Sequence, residues 1–262
     1  MKFTKMHGAG NDYVYVDLHR EKVARPAQLA RAVSDRHTGV GSDGLILIAP
    51  SRKADFRMIM YNADGSEGEM CGNGIRCVGK YVYDHGLTRR REITVETGAG
   101  VVSLRLHVRG GRVDRVTVDM GPPRPVPPSF HVRADGTRPV LRERADGVEG
   151  FVVSMGNPHF VVPVESAEAA PVTVQGPVLE RHPDFPSRVN VEFVEILSRD
   201  RVRQRTWERG SGETLACGSG ACAAVAVLAR QGRIGPSVRV DLPGGSLHID
   251  WAGEGHPVFM RG

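Results

Sequence analysis

Two short stretches decide how this chain is read: Cys71-Gly72-Asn73-Gly74-Ile75-Arg76 and Cys217-Gly218-Ser219-Gly220-Ala221-Cys222. Each sets a cysteine before two glycines and then opens an apolar run. They lie 146 positions apart. The same shift carries Gly10-Asn11 onto Gly156-Asn157, Asn62 onto Glu208, Gly44 onto Asn190 and Glu67 onto Glu213. A single CGxG recurrence could be chance, but several polar positions at one shift point to a duplicated unit. The strand-like texture keeps the same offset, with Tyr13-Val14-Tyr15-Val16 after Asn11 and Phe160-Val161-Val162 after Asn157.

Both motifs stand where a glycine-rich turn runs into a helix. Ala221–Ala229 has no polar face, and a helix apolar all round must be buried all round. Its counterpart, Ile75–Tyr83, is more mixed but begins the same way. Ala27–Arg36 reads as a helix behind Pro26, a suitable first-turn residue. Leu45–Ile48, Phe56–Tyr61, Val101–Leu106 and Val113–Val118 read as strands. Val191–Ile196 alternates, as a half-buried strand does.

These signals predict an α/β fold with mixed, α+β-like sheets. It has two pseudo-symmetric halves, each a strand-rich, barrel-like sheet wrapped round a central buried helix, with the active site in the cleft between them. The first half covers 1–118, joined by a C-terminal strand at 257–262, and carries Cys71. The second covers 119–256 and carries Cys217. The join is the proline-dense run Met120–Pro128, expected to be extended because each proline fixes φ and removes a donor. A second turn-rich stretch, Ala134-Asp135-Gly136, follows it.

The chain has 262 residues, 40% hydrophobic and 25% charged, with a formal charge of +5. That is the composition of an ordinary globular enzyme. The arginines are scattered and aromatics make up only 6%, so the basic stripe of a nucleic-acid binder is missing. No apolar run reaches the roughly 18 residues of a membrane helix. The N-terminus lacks the apolar core of a signal peptide, which places the protein in the cytoplasm. The cysteine spacings, C-x5-C and C-x4-C, are not those of zinc ribbons, so no metal is expected. Few lysines are available for a pyridoxal Schiff base, since all five lie within the first 80 residues.

The first N–H groups of a helix lack internal partners and carry partial positive charge. A thiol there loses its proton more easily, and bare glycines let an anion approach the amides. Cys77 and Cys222 follow at helix rotations of about 240° and about 140°, so they face elsewhere and read as core. Two such thiols related by duplication suit inversion at a carbon with one acidic hydrogen. One sulfur takes the proton and the other gives it. Asn11, Asn62, Asn157, Asn190, Glu208 and Arg209 are the further candidates, with Arg209 suited to a substrate carboxylate. His159 reads either as a helper acid or base or as a structural hydrogen-bonder. Gly39–Gly44 matches G-x-G-x-x-G but follows a helix and precedes a strand, the reverse of a dinucleotide fingerprint. Asn62–Ser66 opens like a calcium loop but has Glu67 where the loop glycine belongs.

At these residues the sequence resembles the diaminopimelate epimerase family. The matching stretches are Phe3–Asp12, Tyr61–Ser66, Cys71–Arg76, Gly156–His159, Glu208–Thr214 and Cys217–Gly220. The resemblance implies a cofactor-free inversion of LL-2,6-diaminopimelate to the meso form, serving lysine and cell-wall synthesis. Cys71 and Cys217 would be base and acid, with His159 and Glu208 assisting. Asn11, Asn62, Asn157, Asn190, Glu208 and Arg209 would hold the substrate. Backbone at Gly72-Asn73 and Gly218-Ser219 would hold the α-carboxylate. A homodimer acting on a small molecule, with no nucleic-acid or membrane partner, is implied as well. Many relatives have glutamine where this chain has Gly44, so Gly44 is not carried over as a site residue. Proline or hydroxyproline epimerase is the alternative on the same fold. A thiol redox protein and a non-catalytic binding protein are the alternatives from other classes.

Overall fold

The computed structural model describes residues 1–125 and 148–262. Of the expected proline-rich join, Met120–Pro125 is described. The remainder, with Ala134-Asp135-Gly136, lies outside the described residues. The chain divides into two compact units, Met1–Asp119 with Arg261–Gly262, and Met120–Met260.

The first unit begins with a hairpin of β1 (Thr4–Gly8) and β2 (Asn11–Asp17). Its two-residue turn puts Ala9 and Gly10 at φ 54° and 87°, the left-handed pair that matches strand twist. Helix α1 (Pro26–Ser34) follows, then β3 (Gly44–Ala49), β4 (Phe56–Asn62) and the short β5 (Glu67–Gly68). Helix α2 (Gly72–Asp84) comes next, then β6 (Glu92–Thr97), β7 (Gly100–Arg109) and β8 (Arg112–Asp119). The strand order is β1-β2-β3-β4-β6-β7-β8, with β5 on β4. β2/β3 and β4/β6 are parallel and the other pairs of this unit antiparallel, so the sheet is mixed.

The second unit repeats that order. It comprises β9 (Phe151–Ser154), β10 (Pro158–Val164), α3 (Val172–Glu180), β11 (Asn190–Ser198), β12 (Arg201–Glu208), β13 (Gly212–Thr214), α4 (Gly218–Arg230), β14 (Ser237–Leu242), β15 (Gly245–Trp251) and β16 (Val258–Arg261). β10/β11 and β12/β14 are the parallel pairs, at the matching places. Helices α1 and α3 begin 146 residues apart, as do α2 and α4. Sequence reading finds no helix at α3, because Gly176 and Pro177 interrupt it. The shift applied to α1 marks its place.

Ten of the thirteen residues of α2, and ten of thirteen of α4, are buried. Helix α2 packs on β1, β2, β7 and β8, and α4 on β9, β10, β11 and β15. Gly79 lets α2 come close, since a Cβ there would lie 2.9 Å from Leu106 Cδ2. Helices α1 and α3 cover the opposite sheet faces. Leu45 and Leu47 of β3 pack with Ala30 of α1, while Ile46 points to the first turn of α2. In the same way Val191 and Phe193 of β11 join the cluster with Leu179 of α3, and Glu192 points to α4.

This two-sided cover corrects one expectation. The start of β11 is not half-buried, because Asn190–Val194 are all buried, Glu192 included. Cys77 and Cys222 are core residues. No helix among the described residues is long and apolar enough to cross a membrane.

Each fully buried aliphatic side chain contributes about 1.5–3 kcal/mol, so the buried helices anchor their units. Leu228→Ala, at a fully buried position of α4, should lower unfolding free energy by about 2–5 kcal/mol in urea titration. Gly176→Ala sets a methyl 2.6 Å from the Trp207 ring and should cost about 1–3 kcal/mol by overpacking. Val174→Ala, on the exposed face of α3, should change stability by less than about 0.5 kcal/mol.

Candidate active site

Each unit carries one cysteine at a helix start. In the first, Cys71 is extended (φ −130°, ψ 113°) and caps α2, its Sγ accepting the Gly74 N–H at 3.2 Å. Glycine at 74 leaves room here, since a Cβ there would lie 2.6 Å from Ile46 Cδ1. The Cys71 thiol donates to Asn11 Oδ1 at 3.2 Å. Asn11 Nδ2 in turn donates to Asp43 Oδ2 at 2.7 Å, which fixes the amide orientation. Asp43 also accepts from Arg36 Nη2 at 2.9 Å and from the Asp12 amide at 3.0 Å. Burial works against ionisation of Asp12. Hydrogen bonds from Arg36 and Lys5 nevertheless hold its carboxyl below the usual range. Asn11 is thus set by the tight hairpin turn on one side and a charged cluster on the other.

Tyr13 joins this centre, and sequence reading missed it as a site residue. Tyr13 is buried beside Asn11 and Cys71. Burial, then the nearby sulfur, raise its hydroxyl above the ordinary tyrosine range. A Cβ on Gly44 would lie 2.1 Å from Tyr61 O and 2.9 Å from Tyr13 Cε1. The tyrosine ring therefore fills the side-chain space at 44, and a glutamine cannot enter it. Asn62 Nδ2 donates to Ser66 Oγ at 2.9 Å inside its own turn. Gly72 and Asn73 form the first turn of α2. Gly72 O and Asn73 Oδ1 both accept from Arg76, at 3.2 and 3.0 Å.

In the second unit Cys217 (φ −114°, ψ 109°) caps α4, accepting the Gly220 N–H at 3.4 Å. Its sulfur lies 3.6 Å from Ser219 Oγ, and the Glu208 carboxylate is near enough to oppose its ionisation. Glu208 Oε1 accepts from Thr214 Oγ1 at 2.6 Å. Burial pushes the Glu208 carboxyl up, against the pull of the Thr214 hydroxyl. Cys217 departs from expectation. A helix start favours a thiolate, but burial, then the carboxylates of Glu208 and Glu192, raise this thiol well above its usual range. Cys217 therefore holds its proton at neutral pH.

Asn157 Nδ2 donates to Ser219 Oγ at 3.3 Å, and Asn157 Oδ1 lies 2.9 Å from His159 Nε2. His159 is fully buried, with Nδ1 2.7 Å from Glu192 Oε1. Asn190 joins two neighbouring segments: its Nδ2 donates to Pro158 O at 2.8 Å and its Oδ1 accepts the Arg209 amide at 2.9 Å. The Arg209 side chain reaches Ser187 O at 3.2 Å. Its loop is tethered by Glu180, which accepts from the Gly210 amide at 3.0 Å and Trp207 Nε1 at 2.8 Å. The unit thus brings Asn157, His159, Ser219 and Cys217 into one connected set, with Glu208 beside it. Asn190 and Arg209 form a second set beside β12. Glu192 is the residue missed here, because its place in an alternating strand reads as solvent-facing.

The raised Cys217 thiol gives a direct test. Alkylation by iodoacetamide, followed by peptide mass spectrometry, should still accelerate at Cys217 above about pH 8.5, the ordinary cysteine value. A plateau below that pH would contradict the effect of burial and the two carboxylates.

A diaminopimelate epimerase family model matches residues 3–126 and 151–262. A curated diaminopimelate epimerase of Agathobacter rectalis is 53% identical over 272 residues, covering 100% of this chain and 95% of that protein. One from Leptospira biflexa is 50% identical over 268 residues, with the same shares. Among solved structures, a hydroxyproline epimerase from Agrobacterium vitis superposes with TM-score 0.70 at 20% identity, over 99% of this chain and 88% of that one. A PhzF-family phenazine biosynthesis protein from Bacillus anthracis gives 0.68 at 16%, over 100% and 95%. At such identities these two speak for the fold alone, a two-domain arrangement of mixed α/β sheets. The family match spans almost the whole chain and agrees with both cysteine motifs, so this chain belongs to the diaminopimelate epimerase family.

Proposed function

We propose that this protein inverts one α-carbon of LL-2,6-diaminopimelate to give the meso isomer, without a cofactor. Cys71 and Cys217 would be the acid–base pair. The observation that carries the reading is the pair of cysteine-capped, buried helices in a chain that shares half its residues with curated diaminopimelate epimerases. In this reading the two halves, 1–118 with the C-terminal strand 257–262 and 119–256, are pseudo-symmetric sheets round their central helices. Each supplies one sulfur to a substrate bound between them.

The α-hydrogen of an amino acid is a very weak acid, so the site must stabilise the carbanion. The amides of Gly72-Asn73 and Gly218-Ser219 open their helices, where donors lack internal partners. They would hold the α-carboxylate as charge gathers on it, and preorganised donors of this kind usually contribute most to lowering such a barrier. The Cys71 thiol donates to Asn11 Oδ1, and the Glu208 carboxylate opposes ionisation of the Cys217 thiol. One proton must leave before turnover. In this reading Glu208 would take the Cys217 proton, leaving a thiolate that removes the α-hydrogen. The Cys71 thiol then delivers its proton to the opposite face. The reverse direction exchanges the two sulfurs. His159 supports this through Asn157. Asn11, Asn62, Asn157, Asn190, Glu208 and Arg209 would hold the substrate. The resemblance further implies a homodimer, which sedimentation velocity would read directly.

Incubation with LL-diaminopimelate in D₂O, without pyridoxal phosphate, should give meso product with deuterium at the inverted carbon. Exchange only with proline or hydroxyproline would transfer the reading to those substrates, and binding without exchange would leave a non-catalytic protein. Cys71→Ala and Cys217→Ala should each abolish epimerisation. Glu208→Gln should lower kcat by about 10²–10⁴-fold, the usual range for a lost general acid–base group.

A further inference from the structure

Behind Cys217 lies a buried acid that the mechanism above does not use. Glu192 is fully buried, and its Oε2 has no hydrogen-bond partner among the described residues. Its Oε1 is 2.7 Å from His159 Nδ1. The same oxygen is 2.6 Å from the point a Cβ on Gly220 would occupy, and Cys217 Sγ is 3.2 Å from that point. Carboxylate and sulfur therefore flank a bare glycine in the first turn of α4. Packing does not demand an acid here. The residue 146 positions earlier is Ile46, whose Cδ1 lies 2.6 Å from the corresponding point on Gly74. A buried carboxyl that replaces an aliphatic side chain carries a desolvation cost and needs a compensating role.

The proton count identifies the role. Asn157 Nδ2 donates to Ser219 Oγ, so Asn157 Oδ1 is the atom facing His159. His159 Nε2 must then carry a hydrogen. Nδ1 and Glu192 Oε1 meet with one further proton between them, and the pair is neutral overall. Neutrality suits the surroundings. Glu208 on β12 and the Cys217 thiol at the start of α4 face the same buried space, and a second full negative charge would oppose ionisation of either. Burial raises the Glu192 carboxyl while His159 draws it down, as such a shared proton requires.

We propose that Glu192 is a positioning residue. By sharing one proton with His159 Nδ1, it holds the Nε2 hydrogen on Asn157, and so keeps the Asn157 amide turned toward Ser219 at the first turn of α4. The inference rests on the epimerase reading for its consequence, because that turn is where the substrate carboxylate would be held. The pairing itself can be read without turnover.

The test combines kinetics with ¹⁵N NMR of histidine-labelled protein. In the wild type, the ¹⁵N spectrum should show a hydrogen on His159 Nε2. Glu192→Leu removes the partner of Nδ1; it should change the His159 ring signals and raise KM for diaminopimelate by at least about fivefold, with a smaller fall in kcat. Glu192→Gln can still donate an N–H to Nδ1 and should restore KM to within about twofold of wild type. A wild-type His159 without a hydrogen on Nε2 would overturn the proposal. So would a Glu192→Leu variant with wild-type KM and unchanged His159 ring signals. If the leucine variant does not fold, the wild-type and glutamine spectra decide. A hydrogen on Nε2 in an enzyme inactive on diaminopimelate would refute the functional reading and uphold the pairing. An active enzyme without a hydrogen on Nε2 would do the reverse.

Discussion

Everything in the two cysteine centres depends on one constraint: the unpartnered N–H groups at the start of a buried helix must find an acceptor. In both units that acceptor is a sulfur. Cys71 takes the Gly74 amide and Cys217 the Gly220 amide. The arrangement needs an extended cysteine, a following glycine without bulk, and a helix too apolar to leave the core. It also ties reactivity to rigidity. The sulfurs are held by the most buried helices of the fold, so their direction is set by core packing and not by a loop.

The duplicated scaffold then separates two roles by changing what surrounds each sulfur. Around Cys71 stand Asn11, Tyr13, Gly44 and Ile46. Around Cys217 the same positions hold Asn157, His159, Asn190 and Glu192. One sulfur has an aliphatic side chain behind it, and the other has a buried acid. Asn62 and Glu208 are related by the same shift. Asn62 closes its own turn onto Ser66, whereas Glu208 is near enough to Cys217 to oppose ionisation of its thiol. Two thiols on one template thus meet different fields, as the proposed acid–base pair with opposite duties would require.

Much of this is legible in the sequence, and the exceptions have physical causes. The CGxG recurrence and its shared offset mark both capped helices, because a Cβ at 74 or at 220 would crowd Ile46 or Glu192. The strands Gly44–Ala49 and Phe56–Asn62 follow their apolar texture. Helix α3 is hidden, since Gly176 and Pro177 oppose helix formation and tertiary packing against Trp207 and β11 overrides them. Glu192 is hidden because period-two alternation places it outward, and only the cover of α4 turns that face into core. Tyr13 is hidden in a run of strand-forming residues, although the offset that pairs it with His159 is visible. Cys217 shows the limit of motif logic. Its helix start argues for a thiolate, but burial and neighbouring carboxylates are long-range properties that no local pattern encodes.

The path of the chain carries a consequence for synthesis. The backbone of Gly262 pairs with Val116 in both directions, at 2.9 and 3.2 Å, and residues 261–262 belong to the unit whose other members end at Asp119. When Asp119 leaves the ribosome, the first unit still lacks those two hydrogen bonds. At about 5–20 residues per second the missing residues arrive roughly seven to thirty seconds later. During that interval the outer edge of β8 is an unfinished ladder, a known template for unwanted pairing. Charged side chains such as Arg112, Asp114 and Arg115 line β8, and charges on an open edge strand discourage such pairing.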